Sequence, residues 1–281
     1  MYGFNAAIGL RVDPQDNVWT IDAAANQVVK FGPDGHVALV LGRKPEAISV
    51  RPAQPGGGRG GGPGAVPAPT PPAAAATPPP TPTTPPAQGR GGGRGAPGAG
   101  TPGSSFNRPT DVAWDRAQNI YVADGIGTNN RVAKFDKDGR FITHWGSTGN
   151  GPGQFSGVKA IAIDAQGDVY VADLGNKRIQ VFSADGTFKR EFGNVGTPIA
   201  MCITRGSTQH LYISHAGDED GMEDAAILKV QLDGKVVGRF GSAGKLPKEF
   251  GLANSIDCRN DPELLIGEMT NWRVQRVTLK R

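Results

Sequence analysis

Long apolar runs are missing from this chain, and so is any cysteine pattern. No stretch is long and apolar enough to cross a bilayer as a helix, so no membrane span is expected. The opening residues, MYGFNAAIGLRVD, lack the charged head and extended apolar stretch of a secretion signal. Cysteine occurs twice, at Cys202 and Cys258, with no CxxC motif and no metal-ligand spacing. That argues against a zinc ribbon or a dithiol redox site and leaves a disulfide between the two open.

Acidic residues are absent from 51–105, where Arg51, Arg59, Arg90 and Arg94 carry the whole of the formal net charge of +4. The remainder is neutral overall, so no nucleic-acid-binding face is expected on the folded part. From residue 43 to 105 aromatics and large aliphatics also nearly vanish, leaving Pro, Gly, Ala and Thr. Such a composition cannot bury enough apolar surface to offset chain entropy, which predicts a disordered insertion. Glycine runs at 56–58, 60–62 and 91–93 make flexible tether, while TPPPTPTTPP favours polyproline II. GGRGGG and GRGGGRG are of the arginine-glycine kind that binds RNA by charge and stacking. Four arginines with no Phe or Tyr between them are a thin version, and a passive insertion is the reading taken. Closure cost grows only logarithmically with loop length. Replacing 51–105 by a short Gly-Ser linker should therefore leave the melting temperature nearly unchanged and lower the pI. A large loss of stability in thermal denaturation would show instead that the segment packs on the fold.

What is present on either side is a repeat. DVYVADLGNKRIQVFSADG (168–186) contains a short apolar strand ending in Asp173, a polar corner, an alternating strand and an Asp-Gly turn. NIYVADGIGTNNRVAKFDKDG (119–139) and NVWTIDAAANQVVKFGPDG (17–35) keep the same order of parts. HLYISHAGDEDGMEDAAILKVQLDG (210–234) stretches the corner and puts His215 where the aspartate stood, and ELLIGEMTNWRVQRVTLK (263–280) puts Glu268 there. A period in the forties with several strands per unit is the mark of a radial repeat.

Four strands make the full unit, in the clearest copy Ala160–Asp164, Val169–Ala172, Ile179–Phe182 and Phe188–Phe192, each read as an alternating, half-buried strand. Asp-Gly recurs at 34–35, 138–139, 185–186 and 233–234, between the third and fourth strands, where a tight hairpin needs it. The expected fold is all-β, a β-propeller of four-stranded blades. A linear solenoid normally uses shorter repeats with one or two strands per turn. Five repeats should start near residues 8, 109, 158, 198 and 253. One discontinuous domain is expected, with the first visible repeat in 1–42, the insertion in 43–105 and the remaining repeats in 106–281. Roughly 220 residues outside the insertion are ample for a single core.

FNRPTDVAWDRAQNIYVADG (106–125) and DVYVADLGNKRIQVF (168–182) resemble NHL-repeat propellers. More closely, the run through NNRVAKFDKDGRFITHWG to GPGQF (106–155) resembles the lyase domain of peptidylglycine α-amidating enzymes in order and spacing. The resemblance extends from Gly9 to the C-terminus around the insertion. It implies a six-bladed propeller whose first blade precedes residue 9, and a secreted or periplasmic setting. Five repeats then mean either a truncated product or a five-bladed closure, with Tyr2–Ala7 a candidate outer strand for the last copy. The family's zinc is held by three histidines before inner strands, and those positions fall here on Ile8, Lys159 and Asn254. Its catalytic tyrosine falls on Ile126 and its arginine on Leu174. The resemblance thus implies the scaffold without the chemistry, with no zinc expected at these positions and the catalytic residues unknown.

On the loop-bearing face the candidates for ligand contact are Asp22, Asp124, Asp173, His215 and Glu268 at second-strand ends, with Lys159 and Asn254 before inner strands. The plain reading of the YVAD aspartates is that they cap the following corner through backbone N–H groups. Asp218, Glu219, Asp220, Glu223 and Asp224 crowd one loop that hard oxygens would suit to calcium, though without EF-hand spacing, and a solvated acidic loop is the reading preferred. No other cofactor is expected. The leading function is a non-catalytic propeller binding a protein, peptide or glycan through this face. The alternative is an enzyme on the same face, a diverged lyase or a metal-dependent hydrolase or lactonase using Glu268, Asn254, Asp173 and Asp124.

Overall fold

A computed structural model of the chain describes residues 4–42, 105–217 and 223–279. The Pro/Gly-rich insertion with its expected disorder, Tyr2 and the acidic residues Asp218, Glu219 and Asp220 lie outside the described residues.

The described residues form five antiparallel sheets, two short parallel pairs (Ser147–Thr148 with Gln154–Phe155, Ser242–Ala243 with Glu249–Phe250) and no helix. Blade 1 comprises Ala7–Val12, Val18–Asp22, Gln27–Phe31 and Val37–Leu41. Blade 2 comprises Pro109–Trp114, Ile120–Asp124, Arg131–Phe135 and Phe141–Trp145. Blade 3 comprises Val158–Ile163, Val169–Asp173, Arg178–Phe182 and Phe188–Phe192. Blade 4 comprises Thr197–Ile203, His210–Ala216, Ala226–Gln231 and Val236–Phe240. Blade 5 has three strands, Ala253–Asn260, Glu263–Glu268 and Arg273–Thr278. In every blade the strands pair in chain order, from the inner strand outward. The five inner strands begin within a residue of the expected repeat starts.

The Asp-Gly hairpins stand where expected, with Gly35, Gly139, Gly186 and Gly234 at φ of 78, 81, 91 and 101°. A side chain at these positions would be strained, which is why glycine recurs there. In blade 3 the inner strand starts earlier than expected and stops before Asp164. That side chain instead accepts from the N–H groups of Gln166 and Asp168, at 2.9 and 2.8 Å, and turns the chain. The Tyr2–Ala7 expectation is corrected. Ala7 opens the inner strand of blade 1, opposite Asp22, and the Asn5 and Ala6 amides also bind Asp22, so residues 5–7 belong to blade 1. Among the described residues nothing pairs with the outer edge of blade 5, whose Val274 is 70% exposed.

Half-burial of every strand is also corrected. Ile120–Asp124 and Val169–Asp173 are buried at all positions, whereas the outermost strands of blades 2, 3 and 5 alternate. The reason is that blades stack face to face. Four apolar clusters are each shared by consecutive blades, centred on Trp19 and Val122, on Tyr121 and Phe182, on Tyr170 and Met201, and on Tyr212 and Ile266. A middle strand therefore has a neighbour on both faces, and each large side chain so buried stabilises by about 1.5–3 kcal/mol. Cys202 and Cys258 form a disulfide that joins the inner strands of blades 4 and 5.

Candidate functional site

The register of each blade sets the end of an inner strand's start against the end of the second strand. Ala7 pairs with Asp22, Pro109 with Asp124, Val158 with Asp173, Pro198 with His215 and Ala253 with Glu268. All the sequence candidates therefore lie toward one face, the loop-bearing face. They do different things there.

The acidic candidates turn into their own corners. Asp22 accepts from the amides of Asn5, Ala6, Ala24 and Ala25 at 2.6–3.1 Å. Burial alone would raise its pKa, but these four donors outweigh that and hold it below the ordinary carboxylate value. Asp124 binds the Asn107 amide at 2.7 Å, Asn129 Nδ2 at 2.6 Å and Arg131 Nε at 2.9 Å. Asp173 repeats the set with the Ser156 amide, Asn176 Nδ2 and Arg178 Nε at 2.7, 2.8 and 2.9 Å. Glu268 binds the Gly251 amide, Asn271, Arg273 and Gln275 at 2.6–2.9 Å, and these donors overcome burial to lower its pKa. In blades 2, 3 and 5 the arginine that follows the corner is thus a partner of the carboxylate before it. His215 packs under Gly196, where an added Cβ would meet Nδ1 at 2.6 Å. Burial pushes its pKa down, against Asp224 and with Arg239. In the acidic loop, Asp224 pairs with Arg239.

Lys159 and Asn254 are the candidates that meet at the axis. Together with Ile8 they line a cavity of about 300 Å³ opening on the loop-bearing face, with Gly9, Leu10, Thr20, Thr110, Ala160, Ile199, Ala200 and Ser255 among its other walls. Asn254 Nδ2 donates to the Ile8 carbonyl at 3.3 Å and so reaches from blade 5 to blade 1. Zinc held by three imidazoles, which the resemblance implies at these positions, does not fit them. Ile8 has no donor atom and Lys159 brings a positive charge. Among the described residues, no three His, Cys, Asp or Glu side chains come together.

The floor of this cavity is a device that sequence reasoning missed. Arg11, on the inner strand of blade 1, grips Asp111 of blade 2 through Nε and Nη2 at 2.8 and 2.6 Å. The same guanidinium donates to Met201 O of blade 4 at 3.0 Å and Ile256 O of blade 5 at 3.3 Å. Asp111 also accepts from the Ile161 amide of blade 3 at 3.0 Å. One ion pair thereby ties all five described blades at the axis. Burial pulls the Arg11 pKa down, but the charge and hydrogen bonds of Asp111 win and raise it. Beyond this floor a second cavity, of about 710 Å³, opens on the opposite face among Pro14, Trp114, Ile163, Gln209 and Arg259. The only sequence signal was a lone charge in each of two apolar inner strands, AIGLRV and PTDVAW.

Radial four-stranded blades around an axial cavity define a β-propeller. Residues 106–260 match the family described as a 6-bladed beta-propeller, more than half of the chain, and the chain belongs to that family. Its NHL repeats are 40% identical over 81 residues to NHL repeat-containing protein 3 of Homo sapiens, covering 28% of this chain and 23% of that protein. Over 204 residues it is 30% identical to peptidyl-alpha-hydroxyglycine alpha-amidating lyase 1 of Drosophila melanogaster, covering 66% of this chain and 27% of that one. The chain thus spans about a quarter of the length of these relatives. Among solved structures, virginiamycin B lyase of Staphylococcus aureus superposes with a TM-score of 0.52 at 14% identity, over 98% of this chain and 71% of that one, a likeness of fold.

Proposed function

We propose that this protein is a binding propeller. A protein, peptide or glycan docks on the loop-bearing face and inserts an end group or side chain into the axial cavity. The observation that carries this reading is the division of labour among the polar residues on that face. Asp22, Asp124, Asp173 and Glu268 are saturated by their own corners, whereas Lys159 and Asn254 line an open cavity. Asp111 is the one carboxylate in its wall, and Arg11 occupies it. A hydrolase or lyase reading needs several carboxylates or imidazoles converging there, and the geometry favours recognition over that chemistry. The Cys202–Cys258 disulfide supports an oxidising, extracytoplasmic setting for the encounter.

Peptide and glycan arrays probed with the intact protein test the reading. Asn254→Trp should fill the cavity mouth and weaken binding of the array ligands by tenfold or more, roughly the loss expected of a blocked central pocket. Its melting temperature should stay near that of the parent. Undiminished binding by a well-folded Asn254→Trp protein would refute it.

A further inference from the structure

The axial cavity contains one cation that the fold itself does not use. Two cationic side chains, Arg11 and Lys159, and one carboxylate, Asp111, stand in its wall. Arg11 and Asp111 neutralise each other at 2.6 Å. Lys159 projects from the inner strand of blade 3, and its ammonium donates no hydrogen bond to any described residue. Burial lowers its pKa, Asp111 pulls the other way, and Arg108 adds to the lowering. Lys159 is half-buried and its ammonium lacks an acceptor among the described residues, so an incoming anion would give it the charge partner that the fold does not.

Two more groups in the same wall are suited to an anion. Thr20 Oγ1 is buried with no hydrogen-bond partner, so its proton is unspent. Asn254 has one amide proton engaged, at 3.3 Å, and a second to offer. Of the remaining wall, Thr110 spends its hydroxyl on the Ala123 and Val158 carbonyls, Ser255 adds a further hydroxyl, and Ile8, Leu10 and Ile199 are apolar. A single surplus positive charge matches a monoanion, and the fixed Asp111 carboxylate disfavours a dianion such as phosphate.

We propose that the loop-face cavity is a carboxylate site, in which Lys159 and Thr20 hold the carboxylate of a small organic acid or end group and Ile8 and Ile199 face its carbon chain. This rests on the binding reading above and gives the chemistry of the group that enters. The carboxylate is held as an ion pair with Lys159, with no bond made or broken.

Butyrate, butyramide and inorganic phosphate are the probes, followed by NMR on lysine-labelled protein. The Lys159 ε-methylene signal is assigned by its absence in Lys159→Met. Butyrate should move that signal saturably, and butyramide, of the same shape without the charge, should not. Amide shifts should show butyrate binding about tenfold or more weaker in Lys159→Met, the usual loss for a hydrogen bond to a charged group, and less weakened in Thr20→Val. Phosphate acting at lower concentration than butyrate, butyramide acting equally, or full affinity in Lys159→Met would each overturn the proposal. Array ligands that need the cavity mouth but are indifferent to Lys159→Met and to butyrate would overturn it while leaving the binding reading intact. Butyrate binding at Lys159, without any array ligand blocked by Asn254→Trp, would support the site and remove the broader reading.

Discussion

Replacing Asp111 by alanine is expected to destabilise the propeller by about 3–5 kcal/mol, the usual cost of breaking a buried ion pair from one side. The change would leave the Arg11 guanidinium at the axis with two backbone carbonyls and only the longer-range attraction of Asp257, and would take from the Ile161 amide of blade 3 its side-chain acceptor. Arg11→Met should cost less. Asp111 would keep the amides of Val112 and Ile161, at 2.9 and 3.0 Å, and methionine fills much of the arginine stem's volume. Removing both, as Arg11→Met with Asp111→Leu, should recover most of the loss, because the desolvation of two charges disappears with their attraction. Urea denaturation of Arg11→Met, Asp111→Leu and their combination, alongside the parent, supplies the double-mutant cycle. Additive losses would show that the pair does not hold the blades together.

Loss of the Cys202–Cys258 disulfide is the second large effect expected. The bond closes a loop spanning a sequence separation of 56 between the inner strands of blades 4 and 5. Chain entropy for a loop of that size assigns it about 4 kcal/mol, which in a domain of this size is roughly a 10 °C fall in melting temperature. Cys258 is fully buried and its amide donates to Cys202 Sγ at 3.0 Å, so the cross-link lies inside the blade interface. Cys202→Ala with Cys258→Ala, and reduction of the parent protein, should give the same lowered melting temperature in calorimetry. Equal stability with and without the bond would contradict this.

Much of this fold is local, and local features are what a sequence displays. Strand order, the Asp-Gly hairpins and the blade starts follow from period-two patterns and turn residues a few positions apart. Burial on both faces of Ile120–Asp124 and Val169–Asp173 was not legible, because it depends on which blade lies beside which. The site follows the same divide. A corner-holding role for Asp124 and Asp173 was legible, but backbone N–H groups of the corner were expected as donors. The following Asn and Arg side chains and an amide from before the inner strand supply them instead. The meeting of Arg11 with Asp111, 100 residues apart across the insertion, was not legible. Lys159 and Asn254 were found only through the family's motif positions, and composition gave no hint that they share a cavity.

The central claim is that ligands enter the loop-face axial cavity. Backbone-amide NMR shift mapping with an array ligand tests it most directly. The largest shifts should cluster at Gly9, Lys159, Asn254 and Ser255, in the cavity wall. A cluster at Val274 and Arg276 on the outer strand of blade 5, or at Trp114 and Gln209 in the opposite cavity, would contradict it.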